Sequence, residues 1–176
     1  MRSEPLLATA LLLLAACDEP TVISHVDKLS HMRLNDLWTM QDAPGLPVEI
    51  HGAPFAHVTD REIAEAIRPP GGSAQEVRFY AVPPGSWQGG NPWRLVLHFN
   101  GQGAPNSPAD CRRMSEARTN PPPPGRFTVN ASFCSGPDWQ AHGYLQALEV
   151  EDGDLAAFTD MMQQLMLAIF HEEKDR

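Results

Sequence analysis

The chain has 176 residues, with 13 Lys and Arg against 22 Asp and Glu, a formal net charge of −9 at pH 7. That acidic balance, with no basic cluster longer than Arg112-Arg113, argues against a nucleic-acid surface and against a diffuse electrostatic hold on anionic lipid headgroups. The length suits one domain, able to bury a core without a metal.

In chain order the first element is the apolar run Leu6 to Ala16, about 11 residues, followed by Cys17. It fits the 7–15 residues of a secretory h-region and falls short of the ~20 that span a bilayer. A core helix is a poor alternative, because the run starts near Met1 and ends on Cys17-Asp18-Glu19-Pro20. Glu4 offsets Arg2 in the n-region. The segment Leu14-Ala15-Ala16-Cys17 resembles the lipobox of bacterial lipoproteins. The resemblance implies that residues 1–16 are a signal peptide and that Cys17 is lipidated as the first mature residue. It also implies attachment to the cell membrane on its periplasmic side. Two or three acyl chains hold stably where one is marginal, at ~0.8 kcal/mol per buried methylene. Asp18 resembles a residue that retains lipoproteins in the inner membrane of some enteric bacteria, a rule that does not transfer reliably, so inner versus outer membrane stays open.

Removing residues 1–16 leaves 176 − 16 = 160 residues and takes out Arg2 and Glu4, so the balance remains 12 − 21 = −9. With Cys17 committed to lipid, Cys111 and Cys134 remain. An oxidising compartment favours their pairing, and closing a loop of about 24 residues stabilises by ~3–3.5 kcal/mol on the chain-entropy view. Two separate buried thiols are the alternative; a redox-active pair lacks Cys-x-x-Cys spacing.

Residues 17–43 read as the lipidated N-terminus and a tether. Val22, Val26, Leu29, Leu34, Leu37 and Trp38 are scattered among polar residues, with spacing that also allows a short amphipathic helix. Residues 44–176 form the expected domain, its body starting near Val48. Thr59-Asp60-Arg61-Glu62 reads as a capping box for a helix to Ile67, stopped by Pro69-Pro70-Gly71-Gly72. Two alternating strands follow, with Val77, Phe79 and Ala81 on one face of the first and Trp93, Leu95, Leu97 and Phe99 on one face of the second. They are expected to pair through the loop Pro83 to Pro92.

Ser107-Pro108 fits a cap and first position for a short helix carrying Cys111 and Met114. Pro121 to Pro124 and Gly125 predict an extended surface connection. A second hairpin runs from Phe127 to Phe133 and returns over Tyr144 to Val150, after a loop Ser135 to Gly143. The terminal helix starts near Asp154, with Leu155, Phe158, Met162, Leu165, Met166 and Ile169 at intervals of three and four. The expected fold is therefore α+β, a two-layer arrangement of an antiparallel or mixed sheet of about four to five strands with helices on one face. The disulfide would pin the middle helix to the sheet.

Four chemistries suggest themselves. His98-Phe99-Asn100-Gly101-Gln102-Gly103 looks a little like the oxyanion loop of α/β-hydrolases, but no Gly-x-Ser-x-Gly elbow accompanies it, and a glycine-bearing turn explains the run as well. Seven His and seven Met invite a metal reading. Yet His25 and His31, like His51 and His57, are not spaced to share an ion, and Met161, Met162 and Met166 belong to a packing helix. Glu149, Glu151, Asp152 and Asp154 fit a helix cap and dipole partner better than a glycosidase pair. Trp87-Gln88 and Trp139-Gln140 each sit on an expected Gly/Pro-bordered loop, where two rings at one end would form a platform for a partner protein, a peptide or a glycan; rings folded back over the core edge are the alternative.

The body is loosely similar to small periplasmic lipoproteins without assigned function, on the strand ending Phe133-Cys134-Ser135-Gly136, the strand after it and the terminal helix. The expectation is a lipid-anchored, non-enzymatic binding or accessory factor for an envelope component, without cofactor. A small periplasmic hydrolase and a periplasmic metal-binding protein are the alternatives.

Overall fold

The computed structural model describes residues 21–29, 36–69, 77–86, 90–102, 108–112 and 118–170. The signal peptide, Cys17, Trp87, Gln88, the expected cap Ser107 and Met114 lie outside the described residues.

The elements are β1 (Thr21–Lys28), α1 (Asp36–Met40), β2 (Leu46–His51), α2 (Asp60–Ala66), β3 (Phe79–Val82) and β4 (Trp93–Phe99), then a 3₁₀ turn (Pro108–Cys111), β5 (Arg126–Ser135), β6 (Asp138–Leu148) and α3 (Leu155–Phe170). The class is α+β. The strands form one mixed sheet of six, in the order β1-β6-β5-β4-β2-β3. The sheet has six strands rather than four to five, and the two not expected as strands from the sequence are β1 and β2, each for a physical reason.

Residues 21–28 fall where the sequence suggests a tether, yet they form the edge strand antiparallel to β6. A bulge between Ser24 and Asp27, with His25 at φ 52°, breaks the period-two alternation by which a strand is recognised. β2 is short, contains Pro47, and inserts between β3 and β4, parallel to both. The hairpin expected through residues 83–92 is therefore not formed. A β2-α2-β3 crossover puts β3 on the outside of β2, and β4 pairs with β2 on its other side. The second hairpin is tighter than expected. Ser135 pairs with Asp138 around Gly136-Pro137, so Trp139 and Gln140 lie within β6 rather than on a loop.

The capping box at α2 is complete: Thr59 Oγ1 accepts from the Glu62 amide, and Glu62 Oε2 accepts from the Thr59 amide at 2.9 Å. α3 begins where Asp154 Oδ1 accepts from the amides of Ala156 and Ala157, satisfying two first-turn donors. α2 and α3 cover one face of the sheet. There Leu95, Leu97, Phe99, Phe127, Val129, Phe133 and Leu145 meet Phe158, Met162, Leu165, Met166 and Ile169 in the main core. Phe55, Phe99, Phe127 and Phe158 form a ring cluster with centroids 5.7–6.3 Å apart. Gly143 lets α3 approach β6, since a Cβ there would stand 2.9 Å from Ile169 Cγ1.

The 3₁₀ turn is on the other face, which corrects the expectation of helices on one face only. Cys111 and Cys134 form a disulfide with Cα atoms 5.7 Å apart. It pins the middle turn to the sheet as expected, but opposite α2 and α3, because Cys134 opposes Arg94 on the face away from the main core.

Candidate functional site

Directly opposed residues of neighbouring strands project to the same face, so the second face can be read in rows. One row runs His51, His98, Asn130, Tyr144 and the next Glu49, Val96, Ser132, His142. Val96 apart, these are the polar alternates of strands whose other residues fill the core. They are not solvated: Glu49, Arg94, Asn130, Ser132 and His142 are all buried, together with Asp110 of the 3₁₀ turn.

Arg94 holds the covering segments down. Its Nε donates to Glu49 Oε2 at 3.1 Å, Nη1 to the Gly136 carbonyl at 2.6 Å and Nη2 to the Cys111 carbonyl at 2.9 Å. Glu49 Oε1 accepts from the Gly85 amide, which ties the returning chain to the same pair. Burial pushes the Arg94 pKa down while Glu49 pushes it up.

Asp110 is the centre of the second cluster. Its Oδ2 accepts from Asn130 Nδ2, and its Oδ1 stands 3.7 Å from His98 Nδ1. His98 Nε2 faces the Arg118 carbonyl at 3.3 Å, so both ring nitrogens look onto oxygen acceptors. Asp110 raises the His98 pKa above its ordinary 6.5, against the effect of burial. His51 and His142 go the other way: burial lowers both, opposed by Glu49 at His51 and by Asp27 at His142. His51 Nε2, Asn130 Oδ1, Ser132 Oγ and His142 Nδ1 are buried with no hydrogen-bond partner among the described residues.

Beside this cluster, at the end of the sheet where β4 and β6 finish and β5 begins, a cleft of about 300 Å³ opens between the strand ends and the Pro121–Pro123 segment. Asn100, at φ 49° in the left-handed region that Asn tolerates, shapes it. Its Nδ2 donates to the Ala53 carbonyl and its Oδ1 accepts from the Thr128 amide. Asn120 is held by Gln102 and by the Asn100 carbonyl. Arg126, Thr128 and Gln146 also line the cleft, and among the described residues no hydrogen bond or ion pair engages their side chains. Gly101 forms the wall toward His98, where a Cβ would come 2.8 Å from His98 Cε1. A hollow of about 200 Å³ shares Pro123 and Arg126 with it.

The residues expected to carry function are distributed as follows. Trp139 is half-buried, packed against Val96 and the Cys111–Cys134 pair and edge-on to His142 with centroids 5.4 Å apart. Gln140 is half-buried beside it, and Trp87 and Gln88 lie outside the described residues. In the run His98 to Gln102, the Asn100 amide donates to Thr128 and the Gln102 amide to Arg118, which matches a structured turn and commits two donors an oxyanion loop would need. Met161, Met162 and Met166 are core residues. Asp154 caps α3, and Asp152 Oδ1 accepts from the Ala56 amide. Among the described residues no group of three or more His, Cys, Asp or Glu converges where a metal ion would sit, and no described helix is long and apolar enough to cross a membrane.

Sequence reasoning missed Asp110, Asn130, Ser132 and His142, as well as Arg126, Thr128 and Gln146. For the strand residues the signal was the polar half of each strand's alternation, which reads as a solvated face until something is seen to cover it, and Asp110 on the 3₁₀ turn had none. No family model matches the chain, and no curated protein or solved structure is significantly similar to it.

Proposed function

We propose that this chain is a lipid-anchored domain on the periplasmic side of the cell envelope, held through Cys17, that acts by binding rather than by catalysis. It serves an envelope component as an accessory or assembly factor and receives its ligand in the cleft at the end of β4, β5 and β6. One observation carries this reading: Arg126, Thr128 and Gln146, whose side chains have no hydrogen bond or ion pair among the described residues, line a cleft together with Pro121, Pro123 and Ala147. A concave apolar site with a few convergent polar groups is the usual form of a small-ligand site. The cleft is preferred to the Trp139-Gln140 segment because Trp139 packs against Val96 and the disulfide, while Trp87 and Gln88 lie outside the described residues.

A small hydrolase is the second reading, favoured by the His98–Asp110 contact directly behind Gly101 in the cleft wall. Ester turnover by the purified protein that disappears in His98→Ala would establish it.

Two experiments test the main reading. Cys17→Ala leaves the membrane fraction or accumulates as unprocessed precursor; a variant processed and membrane-held as before overturns the anchor. For the cleft, the backbone amide signals of Asn120, Thr128 and Gln146 in isotope-labelled protein shift when envelope-derived small molecules are added, and Arg126→Ala abolishes the shift. Equal responses in the two proteins overturn the cleft as the binding site.

A further inference from the structure

The register of the edge strand fixes which end of the sheet faces the membrane, if the chain is anchored at Cys17. Thr21 starts β1 opposite Ala147, and Val22 stands opposite Gln146. Ala147 and Gln146 are walls of the cleft. Four residue steps separate Cys17 from Thr21, a reach of at most about 14 Å, and one ladder spacing of about 5 Å separates Thr21 from Ala147. The lipidated residue is therefore confined to within about 20 Å of the cleft wall. A flexible linker would leave the orientation free, but β1 is built into the sheet from Thr21 onward.

Three features of that end agree in kind. Arg126 lines the cleft, whose own lining holds no acid, while Asp152 stands across the adjoining hollow that shares Arg126 and is engaged with the Ala56 amide. Thr128 and Gln146 add a hydroxyl and an amide on the same face, since they oppose one another across β5 and β6. Val22, 49% exposed, stands opposite Gln146 on that face and sets an exposed apolar side chain beside that wall of the cleft, on the side where the anchor enters. A charged head site continued by an apolar lip near the bilayer is the outline of an amphiphile, and a guanidinium pairs with phosphate by two parallel hydrogen bonds.

We propose that the Arg126 cleft binds the phosphate headgroup of a phospholipid from the leaflet in which the chain is anchored. Arg126 holds the phosphate, Thr128 and Gln146 hold the polar groups next to it, and Val22 covers the start of the acyl region. One guanidinium in a cleft is compatible with the net charge of −9, because a single headgroup is recognised rather than a charged surface. The proposal rests on the cleft being the binding site and on the anchor at Cys17.

The test uses mature lipidated protein in a neutral detergent, titrated with short-chain phosphatidylglycerol, with glycerol phosphate and with inorganic phosphate. Native mass spectrometry counts adducts, and the Thr128 and Gln146 amides report location. One saturating phosphatidylglycerol adduct is expected, weakened roughly ten- to a hundredfold by Arg126→Ala and at least tenfold by Gln146→Glu, which sets a like charge against the phosphate. Glycerol phosphate and inorganic phosphate should bind at least tenfold more weakly than the lipid. Equal binding of the free phosphates, lost in Arg126→Ala, overturns the membrane source and leaves the cleft as an anion site. Lipid binding unchanged in both variants overturns the headgroup assignment. No response to any of these probes, alongside Arg126-dependent shifts with other envelope molecules, overturns the phospholipid and keeps the cleft. Both variants lie at accessible positions, and an unchanged melting temperature confirms that they are folded.

Discussion

The two faces of the sheet are held by different physics. On the first face, α2 and α3 bury a continuous apolar surface, and no single polar contact is needed to close it. On the second, polar strand residues are covered by short segments, and the one small apolar cluster there joins Cys111 of the cover to Val96, Cys134 and Trp139 of the sheet. That cover depends on directed ties: the disulfide, Arg94 with three acceptors, and Asp110 between Asn130 and His98. Hydrophobic burial is non-directional and tolerates rearrangement, whereas a buried ion pair loses its stabilisation when one partner is removed. The first face is thus the scaffold, and the second face is where single residues decide local structure.

The sharpest break is Arg94→Met. It leaves Glu49 buried without a cation and frees the Gly136 and Cys111 carbonyls, for an expected loss of about 3–5 kcal/mol in urea unfolding. Replacing both members, Glu49→Leu with Arg94→Met, should recover part of that loss; a single variant costing under about 1 kcal/mol would show that the pair does not secure the cover. Phe158→Ala probes the scaffold, and an equal loss of about 3–5 kcal/mol is expected from the cavity among Phe55, Phe99 and Phe127. The two variants should differ in hydrogen exchange. Phe158→Ala raises exchange throughout the sheet, while Arg94→Met does so first in residues 108–112 and 83–86.

Removing the disulfide with Cys111→Ser and Cys134→Ser should cost about 3 kcal/mol, with the far-ultraviolet spectrum retained. A spectrum lost altogether would mean that the first face cannot fold without the second.

Titration separates the faces again, since the shifted imidazoles His51, His98 and His142 all lie on the second. His51 and His142 have lowered values, so the stability their neutral forms contribute is present above pH 6.5 and is lost as pH falls through their folded values. His98 is raised, so its contribution is complete below 6.5 and is lost as pH rises through its folded value. Proton resonances of the three rings should titrate in that order, His98 above 6.5 and the other two below. His98 titrating below 6.5 would sink the Asp110 pairing. The smallest effect is expected from Arg126→Ala, within about 0.5 kcal/mol in unfolding, because Arg126 is exposed and no hydrogen bond or ion pair engages its side chain among the described residues.

The elements whose local chemistry is complete were legible. The Thr59-to-Glu62 capping box, the periodic residues of α3 and the alternation of β4 and β5 each encode their conformation within a few neighbouring residues. β1 and β2 were not, because a bulge interrupts one and Pro47 lies within the other, and both are strands by virtue of their partners β6 and β4. Trp139 was placed on a loop because Gly and Pro border it. The tight turn at Gly136-Pro137 instead extends β6 to Asp138 and turns the ring onto the disulfide. The cleft escaped notice for another reason, since Arg126, Thr128, Gln146 and Asn120 come from separate segments and none has a distinctive spacing.

The sequence by itself determined the lipobox likeness at Cys17, the availability of Cys111 and Cys134 to pair, the mixture of helix and strand, and which strand residues fill the core. These follow from local composition and periodicity, which act over a few residues. Three features came from long-range assembly: β2 enters between β3 and β4, the polar face is buried under the segments that Asp110 and Arg94 tie down, and the cleft opens where β1 begins. Those outcomes depend on pairings and contacts between distant segments, where the free energy of burying one surface depends on which other surface arrives to cover it.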